Sequence, residues 1–338
     1  WETMIMADSR EIIIETKGLT KQYGEKTAVD HLDLSIFRGE VFGLLGPNGA
    51  GKTTTTLMLT GLTEPTEGTA FIDGLDCIRC PMEVKKIVGY MPDNMGFYGD
   101  MTGRENLRFT ASLNGIPENQ AEERIDALLD KTGLAYAGDQ RVGTYSRGMR
   151  QRLGVADVLM KDPKVIIMDE PTLGIDPEGM RQLLELIREL ARKENRTLLI
   201  SSHQLYQIQQ ICDRVGLFVD GRLMACGTVE ELAEQTREDD RYLTELQVTS
   251  GDERLVEILK NVEGVLSVGR QGGRYIVGSR QEMAGALAQA ALSSGYTLVS
   301  LRPCGNDLDE IYRRYFEKAG HEDGSSNRKI KRFISRNR

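Results

Sequence analysis

Gly46-Pro47-Asn48-Gly49-Ala50-Gly51-Lys52-Thr53 is the stretch that decides how the rest of the chain is read. It matches the full phosphate-binding loop pattern, a glycine and four residues followed by Gly-Lys and a hydroxyl residue. The apolar run Val41-Phe42-Gly43-Leu44-Leu45 precedes it and helical character from Thr53 to Leu62 follows, so the loop joins a strand to a helix N-terminus. The glycines let backbone N–H groups converge on phosphate oxygens, and the helix end adds favourable partial charge. In such a loop Lys52 reaches the β- and γ-phosphates of a nucleotide and Thr53 ligates Mg²⁺. Gly46 through Thr53, with Thr54 beside them, form the expected nucleotide-contacting set. An ordinary glycine-rich turn leaves lysine and threonine at these offsets unexplained.

Downstream, the apolar strand Val165-Ile166-Ile167-Met168 ends in Asp169-Glu170, which sets two carboxylates at the carboxyl edge of a parallel sheet. Asp169 is expected to hold Mg²⁺, directly or through water. Glu170 is expected to polarise the water that attacks the γ-phosphate, because phosphoryl transfer asks mainly for positioning and electrostatic help. A second strand, Leu198-Leu199-Ile200-Ser201-Ser202, delivers His203 to the same edge, one of three histidines in the chain. That position suits a γ-phosphate contact or a hydrogen bond that orients water and Glu170.

Around these landmarks the pattern is α/β. Short strands with a turn at Gly24 occupy residues 11–45, helical segments run from Arg104 to Asn114, Glu118 to Thr132 and Met149 to Met160, and the amphipathic helix Pro177 to Lys193 joins two apolar strands as a βαβ unit. Asp220-Gly221 signals a hairpin. The expected fold is a parallel-sheet P-loop core of the RecA-like kind with an antiparallel β subdomain and an inserted helical subdomain at about 95–160, together spanning 11–236. A polar linker, Glu234 to Asp240, then leads to an α+β module at 241–320 whose strand–helix–strand–strand–helix–strand order suggests a ferredoxin-like fold. A last helix is expected at about Asp307 to Lys318, and a basic tail at 321–338.

The chain has 338 residues, 40% hydrophobic and 28% charged, with a net charge of −8. The composition is that of a globular protein, and no apolar run approaches the roughly 20 residues of a membrane-crossing helix. No signal peptide is read in Trp1 to Arg10, so a cytoplasmic location is expected. The negative charge gives no reason to expect nucleic-acid binding; the exception in sign is the tail, where Arg328, Lys329, Lys331, Arg332, Arg336 and Arg338 interleave with Ile330, Phe333 and Ile334, a pattern that could touch an anionic lipid surface or an acidic partner, although a solvated, disordered tail is the expected reading. Cys77, Cys80, Cys212, Cys226 and Cys304 are odd in number and scattered, which implies free thiols, and Cys77-x-x-Cys80 lacks the second pair a zinc site needs.

Between the phosphate loop and the acidic strand lies Tyr145-Ser146-Arg147-Gly148-Met149, opening a helix. With the other motifs it resembles the nucleotide-binding domain of ABC transporters over about residues 11 to 235. The resemblance implies that Tyr145 to Met149 is the signature segment, in which Ser146 and Gly148 of one subunit cap the ATP held by the other in a head-to-tail dimer. It also implies that Tyr23 stacks on adenine, that Leu173-Gly174-Ile175-Asp176 crosses the dimer interface, and that the loop Asp93 to Asp100, with Met95, Phe97 and Tyr98 exposed, receives a membrane subunit. The sequence departs from the family pattern at Arg147, where a glycine is usual, at Met149, where a glutamine is usual, and at Asp93, which stands for a glutamine that contacts Mg²⁺ and water. The Ser-Arg-Gly-Met form resembles exporter subfamilies whose ATPase is a separate polypeptide.

The resemblance thus implies an ATP- and Mg²⁺-dependent ATPase, homodimeric or paired with a relative, that lies on the cytoplasmic membrane face through an integral membrane permease. A soluble ATPase of the same family in an assembly process is the alternative. Translation-type members carry tandem cassettes and chromosome-type members a long coiled coil, neither of which fits here, and a small-molecule kinase would leave the signature and Glu170 unexplained. The C-terminal module resembles the accessory domain of exporter ATPases and is expected to regulate or stabilise dimerisation.

Overall fold

All five residues of Val41–Leu45 are buried, as befits a central strand covered on both faces. A computed structural model describes residues 10–235, 242–271 and 273–304, with Leu308, Ile311, Tyr312 and Tyr315 beyond them. The chain divides into two units, one running to Cys226 and the other starting at Gly227.

The first unit contains β1 (Ile12–Tyr23), β2 (Lys26–Phe37), β3 (Val41–Leu45), α1 (Lys52–Leu59), β4 (Glu67–Ile72), β5 (Leu75–Asp76), α2 (Pro81–Ile87), β6 (Val88–Met91), α3 (Gly103–Leu113), α4 (Glu118–Lys131), α5 (Arg147–Leu159), β7 (Val165–Asp169), α6 (Pro177–Arg192), β8 (Thr197–Ser202), α7 (Leu205–Gln209), β9 (Arg214–Val219) and β10 (Arg222–Gly227). One sheet has the order β2-β1-β4-β5 and is antiparallel. The other has the order β10-β9-β3-β8-β7-β6, and the pairings of β9, β3, β8, β7 and β6 are all parallel. A common core joins the two sheets: Ile14, Leu19, Val29 and Ile36 of the antiparallel sheet pack with Phe42, Leu44, Ile167, Leu199 and Phe218 of the parallel one, and α1 adds Met58 and Leu59.

Local sequence explains where the helices begin. Thr102 and Glu105 form a capping box at the start of α3. Asp176 caps α6, its carboxylate accepting from the Gly179 N–H at 3.1 Å, and Pro177 occupies the first turn, where its missing N–H costs nothing. Leu183, Leu184, Ile187, Leu190 and Ala191 recur at helical spacing and are buried, which turns one stripe of α6 to the core.

Several expectations needed revision. Ahead of β3, the short strands expected in residues 11–45 are two strands of twelve residues each, because the stretch from Thr16 to Gln22 stays in the ladder through register shifts, with Gly18 at φ +54. The elements β4, β5, α2 and β6 were not anticipated, although β4 completes the antiparallel sheet and β6 carries the chain to Asp93. Short strands beside glycines give little periodic signal.

The second unit contains α8 (Val229–Gln235), β11 (Tyr242–Val248), α9 (Glu253–Lys260), β12 (Val265–Gln271), β13 (Arg274–Ser279), α10 (Ala284–Ser293) and β14 (Leu298–Cys304). Its sheet has the order β12-β13-β11-β14, antiparallel throughout, and buries Leu246, Val248, Tyr275 and Val277 against Leu255, Leu259 and Leu287 of the two helices. Glu234, expected to open a linker, belongs to α8. The interval 236–241, most of the helix expected after Asp307 and the basic tail lie outside the described residues; Leu308, Ile311, Tyr312 and Tyr315 are helical, and the first three are buried.

Ile167 lies in the middle of β7 with no exposed surface. Ile167→Ala should cost roughly 2–5 kcal/mol of unfolding free energy. Chemical denaturation measures it, and a loss below about 0.5 kcal/mol would contradict the packing described.

Candidate nucleotide site

Parallel register decides what meets at the carboxyl edge of the sheet. Leu45 pairs with Ser202, Asp169 with Ser201 and Met91 with Met168, so the segments after β3, β7, β8 and β6 all leave from one edge. The phosphate loop fills the gap between β3 and α1. Gly49 and Gly51 have φ of +83 and +109, and a Cβ on Gly51 would stand 2.2 Å from the Ala28 carbonyl oxygen. A Cβ on Gly46 would stand 2.2 Å from the Phe218 carbonyl oxygen. Gly51 is needed both for backbone conformation and for close approach, Gly49 for conformation and Gly46 for close approach. The first-turn N–H groups of α1 have no acceptor within the helix and face the loop end, which makes the place suited to anions.

Lys52 is 5% exposed. Its ammonium donates to the Gly46 carbonyl at 2.7 Å and the Pro47 carbonyl at 3.2 Å and lies 3.5 Å from Glu170 Oε1. Burial pushes its pKa down, opposed by the charges of Glu170 and Asp169. Thr53 Oγ1 donates to Asp169 Oδ2 at 2.8 Å, and the other Asp169 oxygen accepts from the Ser201 hydroxyl. Glu170 sits at φ +48, outside the common backbone regions, immediately after β7. Its Oε2 lies 2.8 Å from His203 Nδ1. Burial alone would raise the Glu170 pKa; the hydrogen bond from His203 and the Lys52 charge outweigh it and hold the carboxyl below its ordinary value of 4.5. Lys52, Thr53, Asp169, Glu170 and His203, expected from sequence to act together, are thus one contiguous cluster.

Other expected residues lie apart from that cluster. Tyr23 is half exposed at the turn between β1 and β2, with Lys21 Nζ 5.0 Å from its ring centre; the same hairpin supplies the Ala28 carbonyl against Gly51. Ser146 caps α5, its hydroxyl accepting from the Met149 N–H at 3.2 Å. A Cβ on Gly148 would lie 3.2 Å from Ile175 Cγ2 and 3.6 Å from Asp176 Oδ1. Among the described residues no hydrogen bond or ion pair joins Ser146–Gly148 to the phosphate loop of the same chain. Asp93 bonds not to the cluster but to Arg147, at 3.3 Å. Of the loop that follows, Tyr98 is exposed and meets Phe109 edge-on at 5.3 Å, whereas Met95 and Phe97 are half buried and Met95 packs against Gly154. Sequence reasoning passed over Ser201, which orients Asp169, and the pair Thr172 and Gln204 beside Glu170, joined at 3.2 Å; a short hydroxyl side chain at a strand end gives no distinguishing pattern.

The donor set tests the metal reading. A threonine hydroxyl and a carboxylate in contact, both oxygen, with no cluster of three or more His, Cys, Asp or Glu among the described residues, suit a small hard cation that keeps phosphate oxygens and waters as its remaining ligands.

Fold and site together define a P-loop nucleoside triphosphatase. The family described as ABC transporter matches residues 29–173. The bacitracin transport ATP-binding protein BcrA of Bacillus licheniformis is 35% identical over 300 residues, which is 89% of this chain and 96% of that protein. The linearmycin resistance ATP-binding protein LnrL of Bacillus subtilis is 32% identical over 256 residues, 76% of this chain and 81% of LnrL. Among solved structures, cbiO1 of Clostridium perfringens, part of an ABC transporter complex, superposes with a TM-score of 0.61 at 29% identity, over 67% of this chain and 92% of that one. This chain belongs to the ATP-binding proteins of the ABC transporter family. It is an ATP-binding, ATP-hydrolysing subunit that energises a transporter, a kind of subunit that dimerises and works with membrane permease components. No helix among the described residues is long and apolar enough to cross a membrane.

Gly51→Ala should abolish ATP binding, because the new methyl group meets the Ala28 carbonyl at a backbone angle that alanine rarely adopts. Titration with a fluorescent ATP analogue reads this directly; wild-type affinity would contradict the geometry of the loop.

Proposed function

We propose that this chain drives export through a separate permease, hydrolysing ATP at composite sites formed when two copies, or this chain and a relative, close head to tail. The observation that carries the reading is the cluster of Lys52, Thr53, Asp169, Glu170 and His203 at one sheet edge, while the capped N-terminus of α5 with Ser146 stands free of it. A site with every group except a second anion-binding helix end, on a chain that carries such an end elsewhere, is completed by a twofold partner.

In this reading the amides of Gly46 to Thr54 and the Lys52 ammonium bind the phosphates, and Tyr23 packs on the base. Thr53 and Asp169, with Asp93, would hold Mg²⁺, which when bound would neutralise phosphate charge. Glu170, ionised because His203 and Lys52 stabilise its charge, accepts a hydrogen bond from the attacking water and draws proton density from it as the oxygen approaches the γ-phosphorus. His203 fixes the Glu170 carboxylate through Nδ1, which leaves its other ring nitrogen to meet the γ-phosphate. Ser146 and Gly148 of the partner close the site over the same phosphate.

The permease is expected on the surface bearing Tyr98, Phe109 and Leu113, exposed to 54%, 41% and 71%. The names of the relatives, bacitracin transport and linearmycin resistance, support a cargo of that kind. For the second unit we favour a ferredoxin-like module that steadies the dimer; removing residues 241–338 should weaken ATP-dependent dimerisation and lower turnover, and unchanged values would refute that role.

Glu170→Gln should lower turnover by roughly 10²–10⁴-fold, the range for loss of a general base, yet accumulate an ATP-bound dimer. Steady-state hydrolysis together with light scattering tests it. Normal hydrolysis by the variant would remove Glu170 from the mechanism.

A further inference from the structure

Two of the three positions where the sequence departs from the family pattern touch each other. Arg147, where a glycine is usual, places Nη2 3.3 Å from Oδ1 of Asp93, where a glutamine is usual. The same guanidinium lies across Gly174: a Cβ there would be 3.0 Å from Nη1 and 3.2 Å from both Cδ and Cζ. Gly174 has φ +69, a backbone conformation that side chains rarely adopt, and the arginine packs closely beside it. One side chain on the first turn of α5 therefore joins the segment that follows β6 to the segment that follows Glu170.

Asp93 and Arg147 are each about half exposed, and such ion pairs add little to stability. What the pair contributes is restraint. Aspartate is one methylene shorter than glutamine and carries full charge, so on an untethered loop its carboxylate has many places to go; the guanidinium that meets it at 3.3 Å and lies beside Gly174 narrows that choice. The two loops so linked are the one that brings Asp93 towards the nucleotide edge and the one that leaves Glu170 for α6.

We propose that Arg147 is a positioning residue for ATP hydrolysis, setting the Asp93 carboxylate and the Gly174 loop in fixed relation to the N-terminus of α5. The proposal rests on the reading of Asp93 as a contact to Mg²⁺ and water. It predicts that loss of the arginine resembles loss of the aspartate's charge, since the first leaves the carboxylate unheld and the second removes it.

The test uses the full chain and measures kcat, KM for ATP and the Mg²⁺ concentration for half-maximal hydrolysis in wild type, Asp93→Asn, Arg147→Gln, Arg147→Lys and the Asp93→Asn/Arg147→Gln pair, with thermal melts to confirm folding; independently of turnover, Mn²⁺ binding with a non-hydrolysable ATP analogue, read by electron paramagnetic resonance, should weaken in step with the Mg²⁺ midpoint. Asp93→Asn and Arg147→Gln should each raise the Mg²⁺ midpoint and lower kcat several-fold, with KM for ATP within about twofold of wild type. The double variant should be no worse than the more affected single one, and Arg147→Lys, which keeps the charge but not the plane, should recover part of the loss. A shifted midpoint in Asp93→Asn but not in Arg147→Gln, or additive losses in the pair, overturns the positioning role and leaves the site reading intact. A midpoint unmoved in Asp93→Asn removes the metal assignment of Asp93, and the proposal with it.

Discussion

Everything at the site depends on the parallel pairing of β3, β8 and β7. In a parallel ladder the strands end at one edge, so residues far apart in the chain arrive together without any loop having to reach. That is how Thr53 Oγ1 comes to lie 2.8 Å from Asp169 Oδ2 and His203 Nδ1 2.8 Å from Glu170 Oε2. A slip of one residue between β7 and β8 would turn Asp169 away from Ser201 and reverse the faces of a strand that is buried throughout, which the core does not permit.

The cluster is also an electrostatic compromise. A lysine, two carboxylates and a histidine are gathered where little water reaches them; each would pay a desolvation cost alone, and each is relieved by its neighbours. Lys52 and Glu170 shift in the directions that show this balance: burial lowers the lysine pKa against the pull of the acids, while His203 and Lys52 together overcome the effect of burial on the glutamate. An anionic substrate brought to the same place adds a partner for Lys52, so binding rearranges charges that are already assembled.

Much of this was legible in the sequence, for a physical reason. The phosphate loop, the acidic strand end and the strand bearing His203 are each constrained by chemistry to particular residue types at fixed offsets. What was not legible has reasons as well. The strand β6 is four residues long and flanked by loop, too brief for periodicity, so the origin of Asp93 in the sheet was hidden. Ser201 acts through one hydrogen bond and leaves no pattern. The link between Asp93 and Arg147 joins positions 54 apart, and the contact of Arg147 with Gly174 depends on how α5 lies against the loop before α6, a tertiary fact. Met95, expected at the surface, is half buried because Gly154 of α5 leaves room for its thioether.

The central claim is that each ATP is hydrolysed between two chains, with Lys52 from one and Ser146 from the other. Mixing two inactive variants, Lys52→Ala and Ser146→Arg, tests it most directly. In a mixed dimer one interface receives both defects and the other receives neither, so the account predicts that the mixture regains a measurable part of wild-type ATPase activity while each variant alone stays inactive. A mixture as inactive as its components, under conditions where mixed dimers are shown to form, would contradict it.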